Sequence, residues 1–236
     1  MLFFYIRHGE PIYNPDSLTE FGHIQANAIP SRLGLYGLDE IYSTKSNRAY
    51  LTAVPTSKAL NLEIKDADWA NESHMWNNMI VETESGRIYL FQHKPTKELF
   101  HSEEIRNLGF EWYKHPAFKE YNYEKEMERI REESDKFFLS LGYRHLGNGK
   151  YKVEQGNNKR IALFAHQAFG LAFLSVLLSI PYPQFSTHFD MCHSGITAIE
   201  FKEEDGYAYP RVLTLSNDSH LIKNNIPTNY NNSILF

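Results

Sequence analysis

Two histidines and two arginines carry the chemical signal in this chain. His8 follows directly on the apolar run of "FFYIRHGEPIYN", with Arg7 beside it, and His166 follows the run "IALFA". Arg48 comes just after "IYSTKSN". A neutral imidazole is a competent nucleophile, and nearby cations disfavour its protonation. A guanidinium fork matches phosphate oxygens and stabilises the charge spread over a transferring phosphoryl group. Three carboxyls that could supply a proton, Asp66, Asp68 and Glu72, cluster after "LEIK". Taken singly, each residue has a plainer reading. A histidine after a strand is usually packed or on the surface, Arg48 suits a helix start, and a loop carboxylate is usually solvated. No His or Cys joins Asp66 and Asp68 at a useful ligand spacing, so no metal site is expected.

The elements that must position these residues alternate. Leu2–Ile6 reads as a strand, and "SLTEFGHIQANAIPSRLG" as a helix capped by Thr19, with Pro30 ending or kinking it. "DEIYST" is a strand, "SNRAYLTAVPTSKALN" a helix interrupted by Pro55, and "LEIKDADW" a third strand leading into a loop. After the middle of the chain the rhythm returns as the strand "RIALFA", a helix over Ala168–Ser179, and the strands "GITAIEF" and "RVLTLS". Between them lie a hairpin at Ser85-Gly86, an aromatic loop "FEWYKHPAF", and an amphipathic helix burying Met127, Ile130, Phe137, Phe138 and Leu141. A second hairpin follows at Asn148-Gly149. The pattern predicts an α/β fold, a three-layer α/β/α sandwich with a mostly parallel central sheet and an inserted lid-like subdomain. It is read as one domain over 1–236, with an inserted cap region over 73–155. In open α/β sheets ligands bind beyond the carboxyl ends of the strands, where His8 and His166 fall.

Composition narrows the function classes. Lys plus Arg (24) against Asp plus Glu (29) leaves a net charge of −5, which argues against nucleic acid or an anionic membrane as partner. The lone Cys192 permits no intramolecular disulfide and is read as a buried small apolar residue in a reducing compartment, the cytoplasm. The stretch from Ile161 to Ile180 is long enough for a membrane span, but His166, Gln167 and Gly170 interrupt it, and a strand followed by a buried helix is expected instead. No export signal is evident in "MLFFYI".

The blocks "RHGEPIYN", "SLTEFGHIQA", "IYSTKSNRAYLTA", "LFAHQAFG" and "HSGITAIEF" occur in order across almost the whole chain. Together they resemble the histidine phosphatase superfamily, with its phosphoglycerate-mutase-like fold, on the branch of the simple phosphatases. The resemblance implies that His8 is the nucleophile of a phosphohistidine intermediate. Arg7, Asn14, Arg48 and His166 would hold the phosphoryl group, and Gly9 would let the backbone approach it closely. Glu72 lies at the spacing after Arg48 that the family's general acid keeps, with Asp68 and then Asp66 as fallbacks. Burial near Trp69 would raise such a carboxyl's pKa. Gln167 stands where the family often has glycine.

The link "PIYNPDS" is short where mutases of the family carry a longer loop, which favours simple hydrolysis over phosphoglycerate-type mutase activity. "SNDSHL", near the C-terminus, resembles the endings of related small phosphatases; it would close the fold and could bring His220 near the site mouth. A catalytically inactive phosphate-ligand binding module could dispense with the nucleophile or the acid, yet both are available. The reading is a metal-independent phosphatase without cofactors, acting on a small phosphorylated metabolite, and a homodimer stays open. A roof over the pocket would hinder a protein substrate. Trp76, Trp112, Tyr113 and Tyr121 either touch the leaving group or, as favoured, form the insertion's own core.

Overall fold

The computed structural model describes residues 1–231. The chain runs β1 (Leu2–Arg7), β2 (Pro11–Tyr13), β3 (Asp16–Leu18), α1 (Glu20–Ala28), α2 (Pro30–Leu33), β4 (Glu40–Ser43), α3 (Asn47–Leu60) and β5 (Ile64–Asp66). The insertion supplies α4 (Glu72–Asn78), β6 (Ile80–Thr83), β7 (Gly86–Tyr89), α5 (Lys94–Phe100), α6 (Glu103–Leu108), α7 (Tyr123–Ser140), β8 (Tyr143–His145) and β9 (Tyr151–Val153). Then come β10 (Arg160–Ala165), α8 (Gln167–Leu178), α9 (Tyr182–His188), β11 (Ile196–Glu200), β12 (Glu203–Glu204), β13 (Tyr207–Ala208), β14 (Arg211–Asn217) and α10 (Ser219–Lys223).

The central sheet has the order β14-β11-β1-β10-β4-β5. Its β1–β10, β10–β4 and β4–β5 pairs are parallel, and the β1–β11 and β11–β14 pairs antiparallel. β1 is apolar from Leu2 to Ile6 because both its faces are covered. Phe3 and Tyr5 point into one core with Phe137, Phe138, Phe169 and Phe173 of α7 and α8. Phe4 and Ile6 point into the other, with Ile29, Leu33 and Ala53 around α1 to α3. The expected sandwich with a mostly parallel sheet is the observed one.

Local chemistry explains most element ends. The Thr19 hydroxyl caps α1 by accepting from Gly22 N at 2.9 Å. Pro30 ends that helix and starts α2 at its first position. The Asn148-Gly149 turn takes φ 50° and 68°, as a tight hairpin requires. Pro55 does not interrupt α3, which runs unbroken from Asn47 to Leu60. One missing amide donor is outweighed by Ala49, Thr52, Ala53 and Thr56, all buried along one face. The stretch from Ile161 to Ile180 divides into β10 and α8, and among the described residues no helix is long and apolar enough to cross a membrane.

The insertion between Glu72 and His166 is not a separate body. Trp112, Phe100, Phe118 and Tyr123 belong to the same buried cluster as Phe3 and Phe173 of the sheet layer. α7 lays Phe137 against Phe3 and Tyr42, so it acts as a layer helix of the sandwich. Of the insertion, α4, β7 and Gln92 line the pocket.

The turn after β1 is clamped against α1. A Cβ on Gly9 would lie 2.6 Å from Gly22 O, and one on Gly22 would lie 2.2 Å from Glu10 O. Gly9 N also donates to Thr52 Oγ1 at 3.0 Å. Glycine at position 9 is therefore required by helix packing, a different reason from the close approach to phosphate expected above. Gly22→Ala should cost about 3 kcal/mol, since backbone rather than a pliable side chain must move. A thermal melt should show a drop of roughly 6–12 °C; an unchanged melting temperature would contradict this clamp.

Candidate active site

Adjacent strands deliver the two histidines to one edge. β1 and β10 pair in parallel with Arg7 opposite Ala165, so His8 and His166 leave the sheet side by side. Their ring centroids lie 5.3 Å apart. β4 pairs beyond β10, and Thr44 at its end meets His166 Nε2 through its hydroxyl at 2.9 Å. The Tyr5 hydroxyl accepts from His166 N at 3.1 Å and donates to His166 O at 2.5 Å, fixing the backbone there.

His8 is buried, and its Nδ1 lies 2.7 Å from Gly9 O. A carbonyl only accepts, so Nδ1 carries the proton and Nε2 keeps its lone pair. Burial holds the His8 pKa well below the usual range, with His166, Arg7 and Arg48 adding to it. The cations invoked from sequence thus come second to desolvation. His166 is kept neutral in the same way, by burial and then by Arg48 and Arg7.

Glu72 sits in the first turn of α4, whose N-cap Asn71 accepts from Ser73 N at 3.1 Å. Its Oε2 is 3.4 Å from His166 Nδ1, and its Oε1 accepts from Phe169 N at 3.2 Å. Burial pushes this carboxyl up to about 7, against the opposing pull of Arg48, the Phe169 and Ala168 amides and Arg7. A carboxyl that titrates near neutrality can give and take a proton. Asp68 and Asp66 are otherwise engaged. Asp68 accepts from Lys45 N and Asn71 Nδ2 at 3.1 and 2.7 Å, and Asp66 pairs with Lys45 at 3.1 Å near the surface. Neither lines the pocket.

The two guanidiniums are held differently. Arg48, in the first turn of α3, pairs with Asp16 at 2.7 Å and lies 5.4 Å from the centroid of the Tyr13 ring. Asp16 also accepts from Ser46 Oγ at 2.9 Å and Asn47 N at 2.7 Å. Buried Arg7 donates to Met191 O, to His193 Nε2 at 2.8 Å and to Asn231 Oδ1 at 3.1 Å. His193 accepts as a neutral imidazole, because burial and Arg7 lower its pKa to about 3. Among the described residues, Arg7 Nε and Arg48 Nε are buried without a hydrogen-bond partner.

Of the residues singled out from sequence, Arg7, His8, Arg48 and Glu72 line one cavity of about 770 Å³, and His166 lies against its base through His8 and Glu72. Asn14 does not join them. It is exposed in the turn between β2 and β3, and the pocket wall there comes from Tyr13 and Asp16. Gln167 lines the pocket and is tied to Asp190 and to Asn231 Nδ2, the latter at 3.0 Å. His220 is buried against Ser194 Oγ at 3.0 Å, outside the pocket lining. Buried Cys192 packs near Ser216 Oγ, at 3.3 Å.

Sequence reasoning missed Thr44, Asp16 and the anchor His193. Thr44 follows β4 as His8 follows β1, a signal that was available. His193 opens the quoted block "HSGITAIEF", but nothing local ties it to Arg7.

His8, Glu72 and His166 bring ligand-type atoms within 4.8 Å of one another. Two guanidiniums close enough to depress both imidazoles would repel a cation there and attract an oxyanion.

Residues 3–95 match the model of the histidine phosphatase superfamily (branch 1). Phosphoserine phosphatase 1 of Hydrogenobacter thermophilus is 38% identical over 88 residues, which cover 33% of this chain and 42% of that protein. Two solved structures follow the fold over nearly the whole chain. Phosphoserine phosphatase from Entamoeba histolytica, in complex with 3-phosphoglyceric acid, has a TM-score of 0.60 at 20% identity, covering 93% of this chain and 98% of that one. A mycobacterial glucosyl-3-phosphoglycerate phosphatase with inorganic phosphate has a TM-score of 0.59 at 14% identity, with the same coverage. The resemblance to the histidine phosphatase superfamily (branch 1) thus lies in residues 3–95, and over nearly its whole length the chain shares the fold of these solved phosphatase structures.

Proposed function

We propose that the protein is a metal-independent phosphatase that hydrolyses a small phosphomonoester through a phosphohistidine on His8. The observation that carries this reading is the 2.7 Å contact of His8 Nδ1 with Gly9 O, which selects the tautomer. With Nδ1–H given to Gly9 O, the Nε2 lone pair faces a site with two guanidiniums and a carboxyl that holds its proton near neutrality. His8 Nε2 attacks phosphorus as the bond to the leaving oxygen breaks. The Glu72 carboxyl gives that oxygen its proton, and the alcohol departs. Glu72, now a carboxylate, takes a proton from water, and the water oxygen attacks the phosphohistidine. Breaking the N–P bond returns His8 and releases inorganic phosphate.

Arg7 and Arg48, which line the pocket, stabilise the charge on the transferring group, and His166 backs them from its place against His8 and Glu72. Asp16 orients Arg48, and the His193–Asn231 pair orients Arg7. The relatives whose names specify phosphoserine or glucosyl-3-phosphoglycerate phosphatases support the reaction class.

The test is turnover of an unselective aryl phosphate with EDTA present. Full activity in the chelator is expected; activity lost to EDTA and restored by a divalent ion would overturn the metal-free mechanism.

A further inference from the structure

The cavity is much larger than the phosphoryl site at its inner end. At about 770 Å³ it lies in the range that holds drug-sized ligands. It is lined by Trp76, Ile88 and Tyr89 from the insertion together with Tyr13 of the β2–β3 hairpin, and the Tyr89 side chain reaches inward to the Glu72 carboxyl. Trp76 is 39% exposed and Tyr13 68% exposed, both as part of a concave wall. They are large apolar surfaces presented to whatever enters.

These rings are braced. Tyr89 meets Trp76 edge to face, with centroids 5.1 Å apart, and stacks on Phe91 at 5.5 Å. The Arg87 guanidinium lies 5.4 Å from the centroid of the Trp76 ring and donates through Nη2 to Trp76 O at 2.8 Å. Pre-ordered rings present contact area at little further entropic cost. Trp112, of the same residue type and the same insertion, is wholly buried in the core and has no such face to offer.

The rim argues against a second anionic group on the substrate. Lys45 is paired with Asp66 at 3.1 Å, and Arg87 with Glu82 at 3.3 Å, so both rim cations already have a carboxylate partner. We propose that the outer cavity is a leaving-group subsite for an uncharged alcohol carrying a flat aromatic ring, packed against Trp76 and Tyr89 while its phosphate sits at His8. For its chemistry this inference rests on the phosphatase reading above.

The test compares benzyl phosphate with propyl phosphate, whose alcohols have closely similar acidity, so that reactivity does not masquerade as recognition. Wild-type kcat/KM should favour the benzyl ester about tenfold or more, the scale of a stacking contact. Trp76→Ala should erase most of that ratio and Trp76→Phe should keep most of it. A wild-type ratio near one, a ratio unmoved by Trp76→Ala, or faster turnover of phosphoserine than of benzyl phosphate would overturn the subsite. Calorimetry with benzylphosphonate and propylphosphonate separates the two claims. If neither ester is turned over, yet benzylphosphonate binds the tighter and loses that advantage in Trp76→Ala, the subsite stands and the phosphatase reading falls. Equal binding of the two phosphonates sinks the subsite whatever the enzyme does.

Discussion

Replacing His8 with alanine should lower turnover of any phosphomonoester about 10⁴-fold or more, with the fold intact. Among the described residues the His8 ring makes one hydrogen bond, to the carbonyl of the next residue, and the turn behind it is held by Gly9, Thr52 and Gly22 rather than by the ring. In the proposed mechanism, loss of the imidazole therefore removes the acceptor of the phosphoryl group and little else. Neither neighbour can take over. His166 has its Nε2 against Thr44 and its Nδ1 toward Glu72, and His193 has its Nε2 against Arg7. Steady-state kinetics beside a melting curve would check this; residual activity within about tenfold of wild type in a folded variant would assign the chemistry to another group.

Glu72→Gln should produce two large effects of opposite benefit. The amide cannot protonate a leaving oxygen, so kcat for alkyl phosphates should fall about 10²- to 10⁴-fold, and far less for an aryl phosphate whose oxygen leaves unaided. In wild type, activity toward alkyl esters should decline as pH rises through about 7, where the carboxyl loses its proton. Stability moves the other way. The Glu72 carboxyl titrates near 4.5 in the unfolded chain and near 7 in the folded one. Between those values the unfolded chain gives up a proton that the folded chain keeps. Wild-type stability thus falls as pH rises through that window, and the penalty is complete above about pH 7. Its size is about 3 kcal/mol. Glutamine carries no such penalty, so urea unfolding should show the variant gaining on wild type from pH 5 to pH 8 and holding that lead above it. A constant difference across that range would mean that Glu72 is not the buried acid described above.

The legible part of the site was the part carried by short-range pattern. "FFYI" and "IALFA" are apolar because β1 and β10 are covered on both faces, and a histidine emerges just beyond the end of each strand. Once the two strands pair in parallel, His8 and His166 must be neighbours. Asn14 is exposed in a tight hairpin where one change of direction decides which side chain meets the pocket, and there Tyr13 and Asp16 do so. The grip on Arg7 was invisible: Met191, His193 and Asn231 reach it from the far end of the chain, through contacts with no local signature. Pro55 carries a local signal for a break, and the buried face of α3 overrides it. Trp76 and Trp112 could not be told apart from their neighbours in sequence, although one lines the pocket and the other fills the core.

The most direct test of the account is to trap the intermediate. Wild-type protein mixed with a phosphorus-labelled monoester and quenched in alkali should retain up to one label per chain, stable in base and lost in acid, on the peptide that contains His8. The His8→Ala protein should retain none. Label on a serine or a carboxylate, or steady turnover in wild type with no phosphoenzyme and undiminished rates in His8→Ala, would contradict the mechanism at its centre.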